Sequence, residues 1–362
     1  MGIGDLVIGS IERSLAEDLG EVPIGVQIAV VGPGVRIRSS AGVDHRLRPV
    51  ADDTLFTPYC AAKPVLALGV MTAVAEGLLG LDDPMAVFLE DLPHWVGAAS
   101  ARDVLAHRAG LHVVDPVSAR LLPQSLRLPW MSLIEAPDGL ESGRVEYSEF
   151  GGWFVLGLLV ERAVGMGFGR WCRETVLDPY GVAPGDLILQ PVPADRAALE
   201  RLAVSVDLTR GRPVPLLSEA APESAFEWNP AYGALATASG LADLYSGILG
   251  DLDGAAVVLR EETLEEMVQP AAAGFDMSLT RREAFGLGFM CDLRAGGFGE
   301  SVGPRSFGHH GAGGLRYGVA DPDSGSVCVV ICNAMVEWSV ARRLRERTLA
   351  ICVSGLRESA AC

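Results

Sequence analysis

The sequence predicts an α+β protein in which one antiparallel sheet, flanked by helices, is built from both ends of the chain. Strand patterns occur near the amino terminus and again after about residue 284, and helical patterns dominate the segment between them. Of the 362 residues, 49% are hydrophobic, so the chain can bury a large core. We therefore expect an α/β sheet domain made of residues 1–57 and 284–362, and a mostly helical domain with site-lining loops over residues 58–283.

The first predicted elements are two strands and a long helix. Residues 24–31 (IGVQIAVV) and 34–39 (GVRIRS) alternate around a Gly-Pro-Gly turn, which indicates a hairpin. The segment from Pro58 to Gly80 carries apolar residues at helical spacing and opens with a threonine followed by a proline, which is typical of a helix start.

The middle of the chain is predicted to be helical with long connections. Helical patterns cover residues 101–107, 152–164 and 235–249. Residues 112–146 contain four prolines and little periodicity, which predicts a long loop of the kind that lines or covers a site.

The last part of the chain returns to strands and ends in a helix. Strands are predicted at residues 285–292, 314–320 and 326–332, and an amphipathic helix at residues 337–354. Together with the amino-terminal hairpin, these strands supply the predicted sheet.

Charge and composition exclude several classes of function. A net charge of −17 argues against nucleic-acid binding and against a membrane-surface role. The beginning of the sequence lacks the basic and apolar regions of a secretory signal, and the longest apolar stretch, residues 64–81, contains Glu76. We therefore expect a cytoplasmic protein without a membrane segment. Its seven cysteines show no paired spacing, so we expect no metal and no cofactor.

The single lysine is the most informative residue. Of the 29 basic residues, 28 are arginine, and only Lys63 is lysine. A lysine can lose its proton when buried, whereas an arginine stays charged in proteins. This bias therefore points to Lys63 as a position where a removable proton matters, although chance could also leave one lysine.

Cys60 lies three residues before Lys63 at the start of the predicted helix, so both side chains share one face. The helix N-terminus and a nearby amine both favour the nucleophilic thiolate form of a cysteine. Lys63 could instead act as a neutral base. Either arrangement pairs a nucleophile with its activator.

Three segments resemble the family of β-lactamase-related serine enzymes. The first is Cys-Ala-Ala-Lys at residues 60–63, in place of the family's S-x-x-K motif, followed by ALGVMTAVAEGLLGLDDPMAVFLEDLP and ARDVLAHRAGLH. The second is Tyr147-Ser148-Glu149, and the third is FGHHGAGG at residues 307–314, where the family has K-T-G or His-x-Gly. The resemblance covers residues 22 to 335 and implies a β-lactamase/transpeptidase-like fold with the site in a cleft between its two domains.

The resemblance also implies a catalytic role for several side chains. Cys60 is the nucleophile, and Tyr147 shares a proton with Lys63 and the leaving group. His309 supplies a donor that holds the substrate or Tyr147. Adjacent residues on a strand point to opposite sides, so we expect His309 rather than His310 to face the site.

The glycine-rich third motif is expected to bind substrate through its backbone. The amides of Cys60 and Ala312 form the implied oxyanion hole. Gly311 and Gly313 allow the strand to approach a ligand closely, and His310 is a candidate substrate contact. Glu149 could bind a cationic or amine-bearing substrate, or it could form a structural ion pair with an arginine.

Two positions depart from the family, since Cys60 replaces serine and Glu149 replaces asparagine. A cysteine nucleophile would form an acyl thioester, which is reactive toward amines. We therefore predict an acyl-transfer enzyme, a transacylase or hydrolase, that takes a small-molecule ester, thioester or amide as donor and an amine or alcohol as acceptor. Small-molecule biosynthesis would suit it, and the sequence indicates neither its substrates nor its oligomeric state. The alternative is a protein that uses non-covalent acid–base chemistry in the same cleft, or that only binds a small ligand there.

Overall fold

A computed structural model describes residues 3–20, 22–139 and 144–360 of the chain. Its helices are α1 (Ile3–Leu19), α2 (Lys63–Ala75), α3 (His94–Gly97), α4 (Ala101–Leu105), α5 (Pro116–Leu121), α6 (Gln124–Met131), α7 (Gly151–Val164), α8 (Phe168–Cys172), α9 (Arg196–Glu200), α10 (Pro222–Ala225), α11 (Ala238–Leu252), α12 (Glu261–Val268) and α13 (Trp338–Ala360).

The strands are β1 (Gly25–Gly32), β2 (Val35–Gly42), β3 (Leu187–Ile188), β4 (Val206–Asp207), β5 (Val214–Pro215), β6 (Leu235–Ala236), β7 (Ala272–Asp276), β8 (Arg281–Phe285), β9 (Met290–Cys291), β10 (Phe307–His310), β11 (Arg316–Asp321), β12 (Ser326–Cys332) and β13 (Ala334–Met335). The main sheet has the order β2-β1-β12-β11-β10-β9-β8-β7. Each neighbouring pair in it is antiparallel, so the predicted α+β class is confirmed.

Helices cover both faces of this sheet. The Tyr317 hydroxyl shares a hydrogen bond with Thr348 of α13. The next residue, Gly318, faces Tyr245 of α11 so closely that a Cβ there would lie 2.2 Å from the tyrosine ring. Because successive strand residues point to opposite faces, α13 and α11 lie on opposite sides of the sheet. Burial on both faces explains why β12 reads as a continuous apolar run.

The predicted hairpin is present as β1 and β2, paired from Gly25–Gly42 to Gly32–Val35. The sheet also includes β7 and β8, and the expected domain boundary at residue 284 lies within β8. The predicted strand over residues 285–292 is instead the end of β8 and the short β9, separated by a turn.

The segment expected to be a loop at residues 112–146 contains α5 and α6. Asp115 caps α5 and Pro116 is its first residue, where a proline loses no helical hydrogen bond. Pro123 is the residue immediately before α6. Pro129 lies within that helix. Two of these prolines therefore mark helix starts rather than irregular chain.

Candidate active site

Cys60 lies in a tight turn, Tyr59–Ala62, that leads directly into α2. Tyr59 has a φ of 51°, in the left-handed region that non-glycine residues rarely adopt. Its hydroxyl donates a hydrogen bond to Glu219, which anchors this strained residue. Such strain is common at nucleophile turns and persists only when surrounding contacts enforce it. The Cys60 side chain is buried, with 7% of the residue exposed.

Lys63 is the first residue of α2 and is only 1% exposed. Its Nζ donates to the carbonyl oxygens of Glu149, at 2.7 Å, and Ala231, at 3.2 Å, and its charge interacts with the Cys60 side chain. Burial lowers the pKa of Lys63, and this effect outweighs the opposing charges of Cys60 and Glu149. The neutral amine is therefore accessible at a lower pH than for an exposed lysine.

Tyr147 also interacts electrostatically with the Cys60 side chain. Its backbone N–H donates to the carboxylate of Asp276, at 2.7 Å, which fixes the residue from the β7 side. Burial, followed by the nearby Cys60, raises the pKa of Tyr147 well above its ordinary value. Tyr147 is therefore a neutral phenol at rest, and Lys63 is the better resting base.

The His107 ring packs against the Tyr147 ring, and the sequence did not predict this contact. The His107 ring lies 4.7 Å from the Tyr147 ring, and its Nδ1 accepts the Ser148 N–H at 3.0 Å. Burial lowers the pKa of His107 well below its ordinary value, so the ring is neutral and Nδ1 is free to accept. Its place in the HRAGLH segment, inside the region of family resemblance, is the signal that could have identified it.

His309 and His310 on β10 occupy different layers of the site. His310 lines the cavity and its Nε2 lies 3.2 Å from the Arg281 guanidinium, which donates to it. His309 is buried, with its Nδ1 donating to the His310 carbonyl at 2.8 Å and its ring 6.2 Å from that of Tyr147. His310 therefore lines the cavity, whereas His309 lies behind it, beside Tyr147 and Lys63, and the expected role of His309 stays a prediction.

Burial, aided by the charge of Lys63, lowers the pKa of His309 to about 3, so this ring is neutral. Within the described residues its Nε2 is buried and has no hydrogen-bond partner. His309 therefore presents an unengaged acceptor atom behind the reacting groups.

The motif residues converge on a cavity of about 250 Å³. Its walls come from the nucleophile turn, the second motif, the glycine-rich third motif and the last part of the sheet; they are Cys60, Tyr147, Glu149, Leu279, Arg281, His310, Gly311, Ala312, Gly313, Gly314, Val336 and Trp338. Lys63 and His309 lie behind this wall. Three motifs far apart in the sequence thus meet at one place.

The third motif approaches the nucleophile turn closely. A Cβ on Gly311 would lie 2.2 Å from the Pro58 carbonyl oxygen, so only glycine fits there. Across the parts of the chain that the structure covers, neither the Cys60 amide nor the Ala312 amide has an acceptor. Two unengaged amides next to the thiol are the arrangement that an oxyanion hole requires.

Arg281 and Trp338 are wall residues that the sequence did not reveal. The Arg281 guanidinium lies 3.7 Å from the centre of the Trp338 ring and pairs with Glu283. They come from β8 and α13, and no spacing pattern along the chain connects them. Only the packing of α13 beside β8 in the tertiary structure brings these two side chains together.

The Glu149 carboxylate has no ion-pair partner among residues 3–20, 22–139 and 144–360. The expected structural ion pair with an arginine is therefore absent from that part of the chain. Glu149 is exposed and lines both the 250 Å³ cavity and a second cavity of about 750 Å³. The second cavity lies against α5 and α6, the helices found in place of the expected loop.

Potential metal ligands, cysteines and apolar helices have the following arrangement in the described part of the chain. There, no cluster of three or more His, Cys, Asp or Glu side chains is placed to hold a metal ion. The cysteines at positions 60, 172, 291, 328, 332 and 352 are buried and unpaired, as expected, and Cys362 lies outside the described residues. No single described helix has the length and apolarity to cross a membrane; Gly151–Val164 and Phe168–Leu177, bent by 78°, satisfy those criteria only as a pair.

Comparison with known proteins places this arrangement in a known family. The beta-lactamase family model matches residues 13–351. Esterase EstB of Burkholderia gladioli is 30% identical over 152 residues, which are 37% of this chain and 39% of the esterase, so the match spans about two fifths of that relative.

Solved structures show the same fold over nearly the whole chain. A penicillin-binding protein homologue from Caulobacter crescentus has a TM-score of 0.76 at 23% identity and covers 97% of this chain and 98% of its own. EstCE1, described as a hydrolase with promiscuous acyltransferase activity, has a TM-score of 0.76 at 19% identity. The alignment covers 96% of this chain and 99% of EstCE1.

Proposed function

Since this chain belongs to the beta-lactamase family, we propose that it is an acyl-transfer enzyme whose covalent intermediate is an acyl thioester on Cys60. The hydrolase, esterase and acyltransferase chemistry of this family supports an enzyme, and EstB and EstCE1 are examples of it. The observation that carries the proposal is that Cys60 and Tyr147 line one cavity, and that the Lys63 Nζ, 5.7 Å from the centre of the Tyr147 ring, interacts with Cys60 from behind that wall.

In the first step, the neutral Lys63 amine takes the proton of the Cys60 thiol. The sulfur attacks the carbonyl carbon of an ester, thioester or amide donor, and the carbonyl oxygen becomes an oxyanion at the Cys60 and Ala312 amides. Preorganised donors of this kind lower a barrier by about 3–4 kcal/mol. The tetrahedral intermediate then collapses, and the proton passes from Lys63 through Tyr147 to the leaving group as its bond to the acyl carbon breaks.

In the second step, an amine or alcohol acceptor attacks the thioester carbonyl. Tyr147 and Lys63 accept the proton that the acceptor loses, the carbon–sulfur bond breaks, and the proton returns to the Cys60 sulfur. Because thioesters react readily with amines, transfer to an acceptor is favoured over hydrolysis. Transfer of this type would serve small-molecule biosynthesis, which is the role we propose.

The remaining motif residues hold these groups in place. His309 packs on Tyr147 and is a positioning residue for the proton relay. His310, Gly311 and Gly313 form the cavity wall that the acyl donor would contact. Glu149 anchors Lys63 through its backbone oxygen, which leaves its carboxylate available for substrate.

Intact-protein mass spectrometry tests the proposal. The wild type, Cys60→Ala and Cys60→Ser are each incubated with a panel of acyl thioesters, activated esters and a penicillin. We expect a mass increase of one acyl group in the wild type and none in Cys60→Ala. Cys60→Ser keeps a nucleophilic oxygen between Lys63 and Tyr147, so it should form the corresponding ester adduct more slowly. Adding amines, alcohols or water to the acylated wild type then shows which acceptor discharges it.

Two results would overturn the proposal. The first is the absence of any adduct with every donor, together with a Cys60 that reacts with iodoacetamide no faster than a free thiol. The second is an adduct that persists in folded Cys60→Ala. Turnover without an adduct would instead indicate non-covalent chemistry in the same cleft.

A further inference from the structure

The carboxylate of Glu149 is held where a substrate must pass. Its backbone oxygen accepts a 2.7 Å hydrogen bond from Lys63, so the residue is fixed next to the reacting groups. Its exposed side chain is a wall of both the 250 Å³ cavity that contains Cys60 and the 750 Å³ cavity beside α5 and α6. Glu149 therefore lies at the junction between the reaction site and a larger binding space.

The two arginines of the larger cavity do not pair with this carboxylate. Arg120 and Arg127 line the larger cavity, but both pair with Glu227, the first at 2.8 Å and the second more closely. The three acidic residues of this lining (Glu149, Glu223 and Glu227) and its two arginines give it a formal charge of −1. Among the described residues, neither Glu149 nor Glu223 has an ion-pair partner, and of these two only Glu149 also lines the cavity that contains Cys60.

Aromatic faces lie in the same cavity. Tyr59 and Tyr232 are both walls of it, with ring centres 6.3 Å apart and planes inclined by 40°. The Arg120 guanidinium lies 5.6 Å from the Tyr232 ring and the Arg316 guanidinium lies 5.1 Å from the Tyr59 ring, so both rings already have a cation near one face. Carboxylates and aromatic faces together are the usual recognition elements for ammonium groups.

We propose that Glu149 selects acyl donors that carry a cationic amine at a distance from the reacting carbonyl, with the amine in the larger cavity. This inference rests on the proposed acyl chemistry of Cys60 and names its substrate class. The cation is not the attacking nitrogen, because a carboxylate counter-ion favours the protonated amine, which has no lone pair for attack. In the proposed reaction the donor acylates Cys60 before an acceptor binds. The group that extends past Glu149 is therefore the acyl chain of the donor.

A matched pair of donors tests the selection. The 4-(trimethylammonio)butanoyl and 5,5-dimethylhexanoyl thioesters of N-acetylcysteamine have acyl groups of nearly equal shape, and only the first is charged. Their rates of acylation of Cys60 are measured by intact-protein mass spectrometry, without an acceptor. We expect the wild type to favour the cationic donor by about fivefold or more, as for one partly exposed charge pair. Added salt should reduce this preference.

The variants separate charge recognition from structural damage. Glu149→Gln should lower the preference, taken as the ratio of the cationic to the neutral acylation rate, to near one, and Glu149→Lys should favour the neutral donor. Glu76→Gln removes the same charge from the exposed end of α2 and should keep the wild-type preference.

Equal acylation by the two donors in the wild type, or a preference that survives in Glu149→Gln, would overturn this inference and leave the Cys60 chemistry standing. The absence of an adduct with either donor would instead contradict the proposed function itself. A charge preference that emerges only when cationic acceptors are compared would place the cation on the acceptor and overturn the assignment to the donor.

Discussion

At the scale of single residues, burial changes the chemistry of Lys63 more than any neighbour does. The side chain is almost completely removed from water, and its ammonium form is held by two backbone carbonyls rather than by a buried carboxylate. The desolvation of the charge therefore dominates, and the pKa moves down from its ordinary 10.5. A base of this kind can accept a thiol proton at a pH where an exposed lysine could not.

The pH dependence of acylation follows from that direction. The neutral, proton-accepting form of Lys63 is present above its lowered pKa, so the rate of Cys60 acylation should rise with pH. The rise should level off before pH 10.5, the ordinary value for lysine. In Lys63→Met, which keeps the apolar stem but has no base, acylation should fall by about 10²-fold or more and lose this rise. Stopped-flow acylation by a chromogenic ester between pH 6 and pH 10 measures both effects.

A thermal melt of Lys63→Met near the wild-type temperature controls for misfolding. If folded Lys63→Met kept the wild-type rate and pH profile, another residue would be the base.

The pair Cys60 and Lys63 could be predicted from the sequence, because the two residues are three positions apart and a single helical turn brings their side chains to the same face. The choice between His309 and His310 could not. Alternation along a strand shows that they face opposite ways, but which one faces the cavity depends on how β10 lies between β9 and β11. Arg281 and Asp276 come from the β7–β8 hairpin, far in the chain from the motifs they support.

At the scale of elements, the site depends on how closely the third motif approaches the turn that carries Cys60. The chain after β10 passes so near Pro58 that a single methyl group at Gly311 would overlap a backbone oxygen. Backbone atoms cannot rotate away as a flexible side chain can, so one of the two segments would have to move. The Cys60 and Ala312 amides, which form the proposed oxyanion hole, belong to these two segments.

Gly311→Ala should therefore separate the amides from the thiol. We expect the acylation rate to fall by about 10²-fold, because displacements near 1 Å can cost this much. Overpacking should also lower the free energy of unfolding by about 1–3 kcal/mol. Gly274→Ala is the matched control, since a Cβ on this strand glycine meets nothing within 4 Å. Acylation by Gly311→Ala at the wild-type rate would show that the close approach is not required.

Elements with strong local signals were predicted well. The β1–β2 hairpin has a turn signal and alternation, and α7 has helical periodicity with a glycine at its end. In α5 and α6 the helical pattern is short and only Ala119, Arg127 and Met131 are buried, so apolar periodicity did not indicate these helices.

At the scale of the whole molecule, a buried glutamine connects the sheet to the segment before the active site. Gln27 of β1 donates to the carbonyl oxygens of Ala51, at 2.6 Å, and Thr54, at 3.0 Å, and accepts the Ala238 N–H at 2.9 Å. It therefore ties the central sheet to the chain entering the Cys60 turn and to the beginning of α11. A polar residue in an otherwise apolar strand is explained by these three backbone partners.

Gln27→Leu should leave those buried backbone groups without partners. We expect the free energy of unfolding to fall by about 3 kcal/mol, because an unsatisfied buried group costs about 1–3 kcal/mol. Urea denaturation at neutral pH measures the change. Gln269→Leu, at an exposed position, should change stability by less than about 0.5 kcal/mol. A loss below about 1 kcal/mol for Gln27→Leu would show that water or local shifts replace its bonds.

The sequence by itself determined the α+β class and the family, and it pointed to Cys60 with its neighbouring Lys63 as the candidate nucleophile and base, because each depends on local periodicity or on motifs of fixed spacing. Only the tertiary structure decided which histidine lines the cavity, that α5 and α6 replace a loop, and that Glu149 has no arginine partner in the described chain. These features depend on contacts between segments up to hundreds of residues apart. Such contacts are set by sheet order and by competition for burial and charge partners, which no single segment of the chain encodes.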